Sequence, residues 1–275
     1  MPSDAKPSTS GRRTLAIFGA TGRTGSETLK ALLAKPTNPF SHMKVFVRSR
    51  EKLIKTFPQF KTDHDVEIIE GQVTDEARVK SCLIGADTII CALGENDNKP
   101  TVSVLQDSTE TIVSALKQLR KEGGADWKKP WFILLSSATW NERFSARQPW
   151  LVRWMIQNAF YWPYADLRKA HANLQAEPEL LLLLLVQPPA IIDEEASGHT
   201  ISTESVGLAC SYPDLGTAFA ELATEEAYKE TSAVGVTSGM AKAGFSRYGP
   251  EILPRVIFGL MASFIPGAWR VVPSV

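Results

Sequence analysis

A short apolar run at residues 14–18, TLAIF, passes directly into Gly19-Ala20-Thr21-Gly22-Arg23-Thr24-Gly25, after which a helical pattern carries Leu29, Leu32 and Leu33. This strand, glycine turn and helix constrain the chain more than any other feature. A turn lacking side chains lets backbone N–H groups approach an anion at a helix N-terminus, where unpaired donors and the helix dipole both favour negative charge. A tight turn that merely packs well is the bland alternative for an isolated glycine pair. Here strand, loop, helix and position early in the chain agree, so the expectation is a pyrophosphate cradle and a bound dinucleotide.

Downstream the same alternation continues. Apolar runs at 44–47, 66–70, 87–92 (DTIICA), 131–135 and 180–186 read as strands. Helical stretches fall at 75–84 and 102–121, the latter placing Leu105, Ile112, Val113, Leu116 and Leu119 on one stripe. Strands separated by helices imply right-handed crossovers, hence a doubly wound, Rossmann-like α/β fold with a mostly parallel sheet. Neither 180–186 nor a second run at 256–265 reaches the roughly 20 residues needed to span a bilayer.

Thirty Lys+Arg against 30 Asp+Glu leave no net charge, which excludes partners drawn in by a long-range field, such as nucleic acid or a polybasic membrane contact. Residues 1–13, rich in Ser, Pro, Thr and Lys, read as a disordered tail. Cys82, Cys91 and Cys210 are widely spaced and odd in number, which suits buried thiols in a reducing, cytoplasmic compartment. His42, His64, His171 and His199 lack ligand spacing, and no metal is expected.

After the second strand the chain reads Val47-Arg48-Ser49-Arg50. A selective NAD site usually places an acid there to grip the ribose hydroxyls, and an acid would repel a 2′-phosphate that an arginine attracts. Arg48, helped by Arg23 or Arg50, is the candidate clamp, and NADP(H) is expected over NAD(H). The alternative is that these arginines only solvate a loop.

GATGRTG after the first strand, RSR after the second, Leu93-Gly94 after the fourth, Ser136-Ser137-Ala138 after the fifth and VQPPAIID after the sixth resemble the atypical short-chain dehydrogenases with an NmrA-like, NAD(P)H-binding domain. The chain is most similar to their flavin reductase/biliverdin reductase B group. The likeness runs over about residues 14–239. It implies that Gly19, Thr21, Gly22, Arg23, Thr24, Gly25 and Arg48 contact the cofactor. It also implies that Leu93 and Gly94 run beside it, that Pro188 and Pro189 edge the nicotinamide pocket, and that Ser137 is the active-site serine. A hydroxyl at that strand end can hydrogen-bond a substrate carbonyl and the oxyanion that develops from it. Ser136 can share or take that role, and a strand-end turn serine is the plain alternative.

The chain departs from the Tyr-x-x-x-Lys pair of the classical members. Tyr164 is followed at that spacing by Arg168, and Lys169 sits one position later. Tyr164 as proton donor stands against a packing tyrosine at a helix start after Pro163. Lys169 as a ribose contact is left with the same choice, and His171 reads as a satisfied surface or core histidine. Trp140, Phe144, Trp150, Trp154, Phe160, Tyr161 and Trp162 crowd the segment before this helix. Trp150, Trp154, Met155 and Ile156 suit one face of a short helix, either beside a pocket for flat molecules or in plain core. Residues 240–275, with an apolar face through Ile252, Leu253, Val256, Phe258, Leu260, Phe264 and Trp269, form an extension expected to act as a lid, with a dimer contact or a membrane-surface segment as alternatives.

The resulting expectation is an NADP(H)-dependent oxidoreductase of a hydrophobic, aromatic or polycyclic small molecule, of the kind met in fungal secondary metabolism, existing as a monomer or homodimer. A cofactor-sensing regulator without redox chemistry and a non-redox isomerase or cyclase are the competing readings.

Overall fold

A computed structural model of the chain describes residues 13–146, 148–239 and 245–271. Its first half alternates without exception: β1 (Arg13–Phe18), α1 (Arg23–Ala34), β2 (Phe40–Val47), α2 (Arg50–Thr56), β3 (Val66–Glu70), α3 (Glu76–Leu83), β4 (Thr88–Cys91), α4 (Val104–Gly123) and β5 (Trp131–Leu135). These boundaries have local causes. Ser49 and Asp75 accept hydrogen bonds from Lys52 N (3.2 Å) and Arg78 N (3.1 Å), capping α2 and α3. The second half is less regular: α5 (Glu142–Ser145), α6 (Trp150–Ala159), α7 (Tyr161–Gln175), β6 (Leu182–Gln187), β7 (Ala190–Ile192), β8 (His199–Ser202), β9 (Ala209–Ser211), α8 (Tyr212–Thr224), β10 (Ala233–Ser238) and α9 (Phe245–Phe264).

Eight strands form one sheet in the order β3-β2-β1-β4-β5-β6-β10-β8, parallel except for β8, while β7 and β9 pair apart. This is the doubly wound, Rossmann-like fold the sequence implies, with two more strands in the main sheet than the six apolar runs account for. Successive side chains of a strand point to opposite faces. Leu15 and Ile17 therefore pack with Leu29 and Leu32 of α1 and Leu215 and Phe219 of α8. Ala16 and Phe18 pack with Ile112 and Leu116 of α4 and Leu167 and Leu174 of α7. All three cysteines are free and buried.

Three expectations need correction. Arg13 is not tail: it opens β1 opposite Phe40, donates to Thr88 Oγ1 (3.2 Å) and the Ala223 carbonyl (3.3 Å), and lies over the Phe40 ring. The rest of that tail lies outside the described residues. Strand β2 begins at Phe40 rather than at residue 44, because Phe40 and Met43 are buried and pair forward of the apolar run. Helix α7 begins at Tyr161, so Pro163 sits in its first turn instead of preceding it; proline is tolerated there because the first turn has no N–H partners to lose.

Helix α6 forms where expected, but its aromatic residues are not a common buried face. Trp150 is 73% exposed and Trp154 45%, while Met155 and Ile156 turn partly inward. Of the C-terminal extension, residues 240–244 and 272–275 lie outside the described part. Its helix α9 packs on α6, with Val256 and Ala262 buried, Trp154 stacked on Phe264 at 5.8 Å, and Leu253 and Ile257 exposed.

Candidate active site

The glycine turn stands at the C-terminal edge of the sheet, between β1 and α1. Gly19 has φ +86°, and a Cβ there would lie 2.7 Å from the Ala92 carbonyl carbon and 2.8 Å from Leu93 N. A Cβ on Gly25 would lie 2.1 Å from the Gly19 carbonyl oxygen. Only bare backbone fits at both places. Gly22 is the N-cap of α1 and, having no side chain, leaves the helix's first N–H groups of Arg23, Thr24 and Gly25 without a side-chain acceptor. Thr24 is buried and Thr21 partly exposed. The loop after β4 brings Leu93, partly buried, and Gly94, exposed, alongside this turn. The donor set and the missing side chains fit a dinucleotide pyrophosphate.

The three arginines expected near a 2′-phosphate are not equivalent. Arg48, in the bend after β2, is exposed and makes no hydrogen bond or ion pair among the described residues. Arg50 reaches back to the Ile68 carbonyl at 3.5 Å. Arg23 is committed elsewhere, with Nη2 2.5 Å from Asp193 Oδ2 and its guanidinium 4.0 Å above the Tyr212 ring. Its backbone N–H remains in the cradle, but its side chain is a tie between α1 and the segment after β7.

At the end of β5, strand alternation sends two adjacent serines opposite ways. The Ser137 hydroxyl shares hydrogen bonds with Tyr164 Oη (3.3 Å) and Thr139 Oγ1 (3.2 Å), and Thr139 Oγ1 lies 3.1 Å from Tyr164 Oη. Thr139 joins the cluster without a motif of its own; its signal is the spacing Ser137-Ala138-Thr139, a turn of three residues that returns a second hydroxyl beside the first. Ala138 N donates to the Pro188 carbonyl at 3.0 Å, which joins this turn to the one after β6. Tyr164 is partly buried between Trp140 (edge-on, 5.7 Å) and Phe160 (5.9 Å). Burial pushes its phenol above the ordinary value, while the Ser137 and Thr139 hydrogen bonds and the charge of Arg255 pull it down.

Neither expected neighbour serves Tyr164 as the missing lysine. Arg168 lays its guanidinium over the Trp140 ring at 4.9 Å, and Lys169 is exposed, its charge acting on Asp166. Asp166 is buried and accepts from Leu105 N (2.9 Å) and Gln106 N (2.7 Å), so α7 caps α4 where Ser103 does not.

Ser136 turns away from this cluster. Its Oγ lies 3.0 Å from His171 Nε2 and accepts from Gln187 Nε2 (3.3 Å), whose Oε1 accepts from Asn141 Nδ2 (2.7 Å). Burial lowers the His171 pKa to about 4, so the ring is neutral near pH 7. His171, Gln187, Asn141, Trp140 and Arg168 line an open cavity of about 430 Å³ over β6 and β10.

Residues 19–226 match a family described as NAD(P)H-binding. Averufin oxidase A of Aspergillus flavus is 34% identical over 233 residues, covering 82% of each chain. Oxidoreductase claK of Passalora fulva is 28% identical over 265 residues, covering 94% of this chain and 96% of its own. A short-chain dehydrogenase/reductase of Veillonella parvula, solved in complex with NADP, superposes with a TM-score of 0.62 at 16% identity over 82% of this chain and 95% of that one, a likeness of fold alone.

Proposed function

The chain belongs to the NAD(P)H-binding family of atypical, NmrA-like short-chain oxidoreductases, and from that premise we propose that it is an NADP(H)-dependent oxidoreductase of a flat, polycyclic aromatic metabolite. One observation carries this reading: the side-chain-free cradle at α1 and the Ser137–Thr139–Tyr164 hydroxyl cluster open at the same end of the sheet, on β1 and β5, with β4 between them. Ligands of doubly wound sheets bind at that edge. The relatives point the same way, since averufin oxidase A and claK are oxidoreductases by name. The finer likeness to the flavin reductase/biliverdin reductase B group rests on the strand-end motifs alone, and the buried free cysteines fit a cytoplasmic setting.

When bound, the nicotinamide supplies or accepts the hydride. Gly19, Gly22, Thr24 and Gly25 would hold the pyrophosphate, and Arg48, exposed and unengaged among the described residues, would meet the 2′-phosphate. The hydroxyls of Ser137 and Thr139 orient a carbonyl oxygen and hold the Tyr164 proton in line with it. Tyr164 Oη then gives that proton to the oxygen as negative charge develops there. Its phenol, held above the ordinary range by burial, is fully protonated at neutral pH and ready to donate.

The test follows NADPH absorbance over a panel of hydroxyanthraquinones, simple quinones and flavins, with Ser137→Ala and Tyr164→Phe as controls. Oxidation on the polycyclic quinones that both substitutions abolish supports the proposal. Tight NADPH binding with no oxidation on any of them would replace it with the regulator reading.

A further inference from the structure

The Tyr-x-x-x-Lys pair puts a cation one helical turn beyond the phenol, and here that position holds Arg168, stacked on Trp140. A tyrosine that gives up its proton is left as a phenolate, and a partly buried phenolate needs a positive partner. On α7 the two cations are spent elsewhere, Arg168 on the Trp140 ring and Lys169 on Asp166. The far end of the chain offers one. Arg255 lies on α9 with its side chain only 19% exposed. Its Nη1 donates to the Ile191 carbonyl at 2.8 Å, on β7 just after the Pro188-Pro189 turn. Its Nε is buried with no hydrogen-bond partner among the described residues. Arg255 also lines a recess with Phe160, which packs on the Tyr164 ring. A buried guanidinium N–H left without an acceptor is a costly arrangement that calls for a reason.

We propose that Arg255, carried in by the C-terminal helix, is the positioning cation for Tyr164, replacing the lysine missing from α7.

Helix α9 is held in place for this. Asn98, buried in the loop after β4, donates to the Gly259 carbonyl (2.9 Å) and to Ser263 Oγ (2.7 Å), and accepts from Trp162 N (3.0 Å) at the start of α7. Ser263 Oγ donates in turn to the Asn158 carbonyl of α6 at 2.5 Å. One asparagine thus ties α9 to the helix that bears Tyr164. Helix α9 thereby becomes a fixed wall of the site. The charge of Arg255 draws the phenol downward, opposing its burial.

The other charged and titratable groups around the pair can be named. Glu251, one turn before Arg255, lies 3.7 Å from its Nη1 and accepts from Asp193 N. The Lys99–Asp97 ion pair lines the same recess. On α7, Asp166 is occupied in capping α4, Lys169 acts on Asp166, and His171 is neutral two turns along. Asp107, at the start of α4, accepts from Ser103 Oγ. Glu251 partly offsets the arginine, which makes its removal a useful opposite control.

This inference rests on Tyr164 being the proton donor, so its experiment reads the phenol directly and needs no turnover. The full chain is labelled with ring-fluorinated tyrosine, which brings phenol titrations down in pH, and Tyr164 is assigned by comparison with Tyr164→Phe. Fluorine NMR then follows its titration in the wild type, Arg255→Met, Arg255→Lys and Glu251→Gln. The expected result is an upward move in Arg255→Met, a return toward wild type in Arg255→Lys and a downward move in Glu251→Gln. The basic limb of the pH profile for NADPH oxidation should move with it, with kcat falling about tenfold in Arg255→Met, the scale of one nearby charge, and KM held. A Tyr164 titration unchanged in Arg255→Met, with the melting curve of the wild type, overturns the proposal. If Arg255→Met does not fold, a titration that stays unmoved in Glu251→Gln overturns it instead. Absence of turnover with the titration shifted as expected would strike the oxidoreductase reading and leave this one standing.

Discussion

Replacing Gly25 by alanine tests whether the glycine turn is a cofactor cradle or only a good fit between a strand and a helix. The added Cβ would stand 2.1 Å from the Gly19 carbonyl oxygen, 2.7 Å from its carbon and 3.1 Å from Ala20 Cα. An unstrained carbon–oxygen contact is about 3.3 Å, so loop and helix must part by about 1.2 Å. No flexible side-chain tip can yield, because all three atoms are backbone. The loop cannot retreat either, since Gly19 is itself pressed against Ala92 and Leu93. Overpacking of this kind costs about 1–3 kcal/mol of stability, which for a domain of this size lowers Tm by roughly 2–12 °C. A displacement of about 1 Å in a preorganised site costs about 100-fold, so the Kd for NADPH should rise by about that factor. Fluorescence titration with NADPH and a thermal melt measure the two effects. Gly22→Ala, whose Cβ meets the same oxygen at 3.2 Å, should cost less stability. Gly25→Ala binding NADPH within threefold of wild type, with an unchanged melt, would refute the reasoning.

The parts of this molecule legible in the sequence are those where one local signal suffices. Strands β3 and β5 are read to the residue because each is an apolar run ended by polar or turn residues, and the glycine turn is read because three features coincide within twenty residues of chain. Strands β7 and β9 have three residues each and exist only because they pair with one another, Ala190 with Ala209, so no periodicity could announce them. Strand β8 has no buried residue and β10 is interrupted by Gly235, which accounts for the two strands missing from the expected sheet. Helix α8 did leave a signal: Ser211 caps it by accepting from Asp214 N, within the sequence Ser211-Tyr212-Pro213-Asp214. Among the candidate site residues, Ser137 and Tyr164 are legible as types at strand-end and helix offsets. The role proposed for Arg255 is not, because a charge supplied from another element has no spacing relation to the residue it would serve.

Arg48→Ala should raise the Kd for NADPH about tenfold or more and leave that for NADH nearly unchanged, since only a 2′-phosphate needs the guanidinium; paired titrations with both cofactors check it, and equal losses would reduce Arg48 to a loop residue. Tyr164→Phe should lower kcat by 10²- to 10⁴-fold, of the order of a lost general acid, with the NADPH Kd intact; a rate within threefold of wild type makes Tyr164 a packing residue. Asp166→Ala should cost about 1–2 kcal/mol in urea unfolding, because it strips the acceptor from Leu105 N and Gln106 N at the start of α4. For His171 the sign follows from its environment: burial holds the folded pKa near 4 against 6.5 for the free side chain, so below pH 6.5 the unfolded chain takes up a proton that the folded one refuses. Its stabilising effect is whole above pH 6.5 and drains as the pH falls toward 4. The gap of about 2.5 pH units, at 1.36 kcal/mol each, caps the loss at about 3 kcal/mol, less because the ring borders an open cavity. His171→Asn, which keeps a polar partner for Ser136, should flatten this acid limb in urea melts between pH 7 and 4; an equally steep limb in the variant would place the acid sensitivity elsewhere.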